Sequence, residues 1–189
     1  MRKRNLQATI EAAILAALAL VLDLLPSIQL TPAISVSFAM IPVFIVAFRW
    51  GWRAGFLSGF MWGVLQLIFD PYIVHPIQAF IEYVIAFAVI GVSGFFVHKI
   101  QKQLSNQHKR SALVTAVIAI FLGSLARYFF HFIAGYYFFA EYAPEDMSAV
   151  MYSFAVNGTT MILTFILCAI VMIGLLLAAP RMIVNQSLN

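Results

Sequence analysis

The stretch Met147–Ala179 reads MSAVMYSFAVNGTTMILTFILCAIVMIGLLLAA, thirty-three residues without one Asp, Glu, Lys or Arg, and Pro180 follows it. A helix of about 20 apolar residues, at ~1.5 Å per residue, matches the ~30 Å hydrocarbon core of a bilayer. Five more apolar stretches lie N-terminal to it. Helix 1 is read over Leu6–Leu25, ending at Pro26, with a loop through Gln29, Thr31 and Pro32. Helix 2 is read over Ser37–Trp50, short and interrupted by Pro42. Helix 3 covers Arg53–Phe69 and is closed by Asp70-Pro71. Helix 4 covers Pro76–His98 and is followed by the polar stretch Lys99–Arg110. Helix 5 covers Ser111–Tyr136, then an acidic loop, Glu141–Asp146, leads to helix 6 at Met147–Ala179. The runs are long, unbroken and rich in Leu and Ala, whereas a membrane barrel needs alternating segments of about ten residues. The expected fold class is therefore an all-α integral membrane protein with six transmembrane helices.

The composition agrees. Of 189 residues, 63% are hydrophobic and 10% charged, with a mean hydropathy of +0.98. Soluble domains have roughly 45–50% apolar and about 25% charged residues, so water is not the main solvent. Six spans of about 20 residues use about 120 residues. The chain is thus read as a single transmembrane domain, 1–189, with no room for a soluble catalytic domain. The single cysteine, Cys168, lies in an apolar run, so no internal disulfide forms and the redox compartment is not readable. The start MRKR precedes an Ala/Leu run but no small-residue cleavage region, and is read as the basic flank of a retained first span. No repeat of fixed period is present.

Lys and Arg set the orientation. Arg2, Lys3 and Arg4 precede helix 1. Arg49 and Arg53 lie between helices 2 and 3. Lys99, Lys102, Lys109 and Arg110 lie between helices 4 and 5, and Arg181 follows helix 6. Ten of the eleven basic residues thus share one side of a six-helix arrangement, while the opposite loops hold Asp70, Glu141, Glu145 and Asp146. Both termini are expected in the cytoplasm. The pI near 9.4 comes from these flanks and implies no nucleic-acid partner.

Two ionisable residues are explained by neither flank nor loop: Glu82, about six residues into helix 4, and Arg127, deep in helix 5. An ionised group at the centre of a membrane helix costs roughly 2.5–3.5 kcal/mol, so it should face a partner or a cavity. His131 and Gly135 follow Arg127 at intervals of four and share its helix face. Tyr152 and Asn157 are polar near the outer end of helix 6, and Tyr72, Gln78 and Tyr83 cluster at the outer start of helix 4. At ~1.5 Å per residue, Glu82 lies roughly 9 Å, His131 about 8 Å and Asn157 about 15 Å below the outer boundary. Their convergence predicts a polar, aromatic-walled pocket open to the outside. A carboxylate among rings suits a flat cation.

Each feature also has a plainer reading. Glu82 and Arg127 would make a structural ion pair. His131 and Asn157-Gly158 would serve helix packing. The tyrosines would form an interfacial belt. Neither G-x-x-x-x-G-K-[ST] nor H-E-x-x-H occurs, and His75, His98, His108 and His131 are scattered, so neither P-loop ATP binding nor a metal cluster is expected. In helix 1, Ala12/Ala16 and Ala13/Ala17 form small-x-x-x-small pairs that suit either a partner helix or internal packing.

Three stretches together carry a resemblance: RYFFHFIAGYYFFAEYAPEDMSAVMYSFAVNG at Arg127–Gly158, I-E-Y at Ile81–Tyr83, and the alanine-rich helix 1. The chain resembles, over essentially its whole length, the thiamine-specific substrate-binding (S) components of energy-coupling factor (ECF) vitamin transporters. The resemblance implies the S-component fold, a bacterial plasma-membrane location and an outward-facing thiamine pocket. It further implies a membrane coupling subunit with two ATPases, no cofactor, and no chemistry on the ligand. It makes Glu82 the carboxylate facing the ligand's charged, nitrogen-rich rings, puts His131, Tyr152 and Asn157 against the ring system, and has Tyr72, Tyr83 and Gly135 lining the site. Arg127 stands where the family can carry lysine, near the pocket. Phe139 stands where the family commonly has a stacking tryptophan, and Leu25–Ser37 lacks the tryptophan that relatives can supply there. The alanine pairs Ala12/Ala16 or Ala13/Ala17 would dock the coupling subunit. The rivals are an S component for another vitamin or a thiamine precursor, a stand-alone ion-coupled transporter with Glu82 as proton carrier, and an intramembrane enzyme using Glu82 and His131.

Overall fold

The structure, a computed structural model, describes residues 2–25, 28–31 and 34–184. Pro26 and Pro32, expected to stop helix 1 and shape the loop after it, lie outside the described residues. Six helical rods carry the chain: α1 Arg2–Leu24, α2 Ile41–Trp50, α3 Trp52–Phe69, α4 Pro76–Ser105, α5 Lys109–Phe138 and α6 Ala149–Ala178. Four of them, α1, α4, α5 and α6, are long and apolar enough to cross a membrane. Their outward faces carry large exposed apolar side chains such as Ile14, Phe129, Phe154 and Ile170. In water such a surface would aggregate, whereas in lipid it is the expected exterior.

The short α2 is the centre of the bundle. Seven of its ten residues, from Ile41 to Phe48, are buried. Phe44 and Phe48 meet Met40, Trp62, Ile90, Ile120 and Met172 in one core. Pro42 sits in the first turn of α2, so it starts the helix instead of interrupting it. The helix therefore begins at Ile41 and not at Ser37. Gly51 then turns the chain directly into α3 with φ of +89°, a left-handed conformation that glycine adopts without a Cβ clash.

Two further differences from the expected layout have physical causes. The segment after α1 forms a small antiparallel hairpin, β1 Ile28–Thr31 with β2 Ile34–Val36, pairing Ile28 with Val36 and Gln29 with Ser35. Its strands are three and four residues long, too short to show a period of two in the sequence. Helix α4 runs on to Ser105 because the polar flank is amphipathic: Val97, Ile100, Gln101 and Leu104 turn inward. Buried Gln101 donates to the carbonyls of Phe48, Arg49 and Ile183 at 2.9–3.0 Å, closing the end of α2 against the C-terminal segment.

The middle of α4 departs from α-helical geometry. Phe80–Ile85 is π-helical and Val89–Phe96 is 3-10. Helix α3 lies unusually close to this stretch. A Cβ on Gly63 would collide with the carbonyl oxygen of Tyr83, and one on Gly59 with that of Phe87. Small residues at such a contact let two backbones approach in a membrane bundle. The widened turn at Phe80–Ile85 carries Glu82, and π-bulges of this kind are frequent at functional sites.

Candidate functional site

At one end of the bundle, the start of α4, the last turns of α5 and the first turns of α6 enclose a cavity of about 410 Å³. Its wall comprises Tyr72, Glu82, His131, Gly135, Phe139, Tyr142, Tyr152, Ser153, Val156 and Asn157. The volume falls in the roughly 300–1,000 Å³ range of small-molecule sites. Seven of the nine residues expected at the site line this one space. Tyr83 and Arg127 do not.

Local structure explains each position. His75 caps α4: its Nδ1 accepts from the Ile77 N–H at 3.1 Å, with Pro76 at the first helical position. One turn on, fully buried Gln78 is pinned on both sides. Its Oε1 accepts from Val74 N–H at 3.3 Å, and its Nε2 donates to the Tyr72 carbonyl at 3.1 Å and to Glu82 Oε2. His131 Nδ1 lies 3.2 Å from Glu82 Oε1. Glu82 is thus aimed by two side chains from two helices. Its side chain is 18% exposed, and that of His131 16%.

Across the cavity, Gly135 lets α5 and α6 meet. A Cβ there would run into Ser153 Oγ and come within 3.1 Å of Asn157 Nδ2. Ser153 Oγ donates to the Phe132 carbonyl at 2.7 Å, locking the two helices. Asn157 Nδ2 donates to its own helix, to the Ser153 carbonyl at 3.0 Å and Ser153 Oγ at 3.3 Å. That leaves Asn157 Oδ1 as an acceptor beside the cavity.

The mouth is aromatic. Tyr72 stacks on Phe139 at 6.0 Å and 17°, Phe139 packs against Tyr142 at 6.1 Å, and the two phenol oxygens of Tyr72 and Tyr142 are 3.0 Å apart. The hydrogen bond with Tyr72, and then the field of that neighbour, hold the Tyr142 phenol above its ordinary range. Tyr83 is buried behind this wall. Its hydroxyl accepts from the Tyr72 N–H at 2.7 Å and so supports the loop instead of facing the space.

A family model described as "Thiamine transporter protein" matches residues 9–184. The chain belongs to the thiamine transporter family. Among members, the thiamine transporter ThiT of Bacillus subtilis (strain 168) is 39% identical over 185 residues, covering 96% of each chain. That of Lacticaseibacillus paracasei is 34% identical over 187 residues, covering 97% of this chain and 93% of the relative. A solved structure of ThiT from Listeria monocytogenes superposes with a TM-score of 0.92 at 32% identity, covering 96% of this chain and 99% of that one. The family is one of membrane transporters and not of enzymes.

Within this family member, the remaining predicted residues fall as follows. Arg127 makes no ion pair with Glu82. Its Nε donates to His131 Nε2 at 3.3 Å, and its guanidinium lies over Phe87 and Trp62. The structural ion pair weighed from sequence is therefore not formed among the described residues. On α1 the two alanine pairs separate. Ala12 and Ala16 are fully buried, and Ser58 Oγ of α3 donates to the Ala12 carbonyl at 3.1 Å. They pack inside the bundle, the internal arrangement that their spacing also suits. Ala13 and Ala17 lie on the exposed face.

Sequence reasoning missed two acids in α1. Asp23 accepts from Ser37 Oγ at 3.1 Å. Glu11 is bonded by Arg49 and Trp50. The rule that flagged Glu82, a carboxylate inside an apolar run, applies equally to both. Ser153 serves both helix packing and the cavity wall. Tyr142 and Val156 complete that wall.

Proposed function

We propose that this chain is the high-affinity thiamine-binding S component of an ECF-type uptake transporter. Thiamine enters the cavity from outside the bacterial plasma membrane. A membrane coupling subunit with two ATPases then drives its release inward. In this reading the chain crosses the membrane six times with both termini in the cytoplasm, which the one-sided distribution of Lys and Arg supports. The exposed Ala13/Ala17 face of α1 takes the coupling subunit.

The observation that carries the reading is the state of Glu82. It borders an aromatic-walled cavity, and both side chains bonded to it there, Gln78 and His131, come from residue types that need carry no charge. A carboxylate in a water-poor site, without a bonded cation, attracts a positive ligand far more strongly than it would in water. Thiamine is a cation with two flat rings, and Tyr72, Phe139 and Tyr152 offer faces for stacking and cation–π contact. Asn157 Oδ1 supplies a directional acceptor. Phe139, already stacked on Tyr72, stands in the family's tryptophan position as a smaller ring.

Calorimetry on the isolated chain tests this. Thiamine should bind tightly, and its pyrimidine and thiazolium halves each more weakly. No heat with thiamine, together with binding of the pyrimidine half, would reassign the chain to a thiamine precursor. Uptake into vesicles should require the coupling subunit and ATPases. Uptake by the chain alone would make it an ion-coupled carrier.

A further inference from the structure

We propose that Arg127 is a positioning residue that holds His131 in its Nδ1–H form, so that the imidazole donates to Glu82, while Arg127 itself stays out of the ligand space. The geometry forces the hydrogen assignment. A guanidinium has five donors and no acceptor. Arg127 Nε is 3.3 Å from His131 Nε2, so that nitrogen accepts and carries no hydrogen. A neutral imidazole then bears its one hydrogen on Nδ1, which faces Glu82 Oε1 at 3.2 Å. The opposite tautomer would set N–H against N–H at one end and a lone pair against a carboxylate at the other. The ring plane is held by Tyr128 at 5.7 Å and Phe87 at 6.3 Å.

The same contacts explain how a cation site tolerates an arginine. The Arg127 guanidinium lies 4.3 Å from the Phe87 ring and 4.7 Å from that of fully buried Trp62, where ring faces stabilise positive charge. Arg127 is withdrawn onto these rings, and Glu82 is the one acid among the described residues that line the cavity. Arg127 therefore reaches the ligand only through His131. Lysine retains a donor for Nε2, whereas an apolar side chain removes it.

The test uses the full chain labelled with ¹⁵N-histidine, free of ligand, with the His131 signals identified by their loss in His131→Asn. Wild type should show Nδ1 protonated and Nε2 bare. Arg127→Lys should keep that pattern and bind thiamine nearly as well. Arg127→Met should lose it and bind about tenfold more weakly, the effect of one lost charge-assisted hydrogen bond. A wild-type spectrum with the hydrogen on Nε2 would overturn the assignment. So would Arg127→Met with weakened binding and an unchanged tautomer, which would make Arg127 a direct ligand contact. A changed tautomer with undiminished affinity would remove its role in binding. Should Arg127→Met fail to fold, the wild-type spectrum and the Lys variant decide. The binding arm rests on the thiamine reading. If wild type binds no thiamine, that reading fails by itself and the ligand-free spectrum still tests the tautomer.

Discussion

Glu82 and Glu11 are both carboxylates inside long apolar helices, and they sit in opposite kinds of site. Their exposure is similar, 18% and 27% of the side chain. What differs is their partners. Glu11 Oε2 accepts from Arg49 Nε at 2.8 Å and Trp50 Nε1 at 2.6 Å, and Oε1 accepts from Gln7 at 2.9 Å. Arg49 goes on to donate to the Met182 carbonyl at 2.7 Å. The charge is neutralised, and the cluster ties α1, α2 and the C-terminal segment together. Glu82 is held by Gln78 and His131, faces a cavity and has no cation bonded to it. One site is closed by contact and the other is built around space. The difference teaches that an acid buried in a membrane helix is read by what neutralises it, and not by its depth.

Filling that space should have the largest effect. In Gly135→Val the side chain would collide with Ser153 Oγ and crowd Asn157, and calorimetry should find thiamine binding below detection with the helices still formed by circular dichroism. Retained wild-type affinity would mean that the ligand sits elsewhere. At the closed end, Glu11→Gln should leave thiamine affinity unchanged and lower stability by about 1.5–3 kcal/mol, the range for a hydrogen bond to a charged group. Thermal unfolding in detergent checks this, and an unchanged midpoint would show the Glu11 charge to be dispensable. The smallest effect belongs to the mouth. Tyr142→Phe keeps the ring against Phe139 but removes the phenol contact with Tyr72. Dissociation of thiamine should speed up by about two- to fivefold, as expected for one neutral hydrogen bond. Stopped-flow release measures it, and an unchanged rate would confine Tyr142 to a packing role.

Much of this contrast was legible in the residues. With only 10% charged residues, Glu82 and Arg127 stood out against lipid, and helical spacing placed His131 and Gly135 on the face of Arg127. The long helices α5 and α6 were found to within about two residues of their ends, the usual boundary error. Other features depend on tertiary contact and leave no local trace. The π turn under Glu82 goes with the close approach of Gly63 to the Tyr83 carbonyl. Ala12/Ala16 and Ala13/Ala17 have identical spacing one residue apart, so only packing tells the buried pair from the exposed one. Arg127 was legible as misplaced, but its partners Phe87 and Trp62 come from two other helices. Glu11 and Asp23 obey the same rule as Glu82, but their partners Arg49, Trp50 and Ser37 come from other segments, so only the fold tells a neutralised acid from an open one.

The central claim is that Glu82, and not any other membrane-embedded acid, supplies the charge that recognises the ligand. The most direct test is a calorimetric titration of thiamine into wild type, Glu82→Gln and Glu11→Gln under one condition. At least a tenfold loss of affinity is expected for Glu82→Gln, equivalent to about 1.4 kcal/mol or more, and none for Glu11→Gln. Wild-type affinity in Glu82→Gln, or an equal loss in both variants, would contradict it.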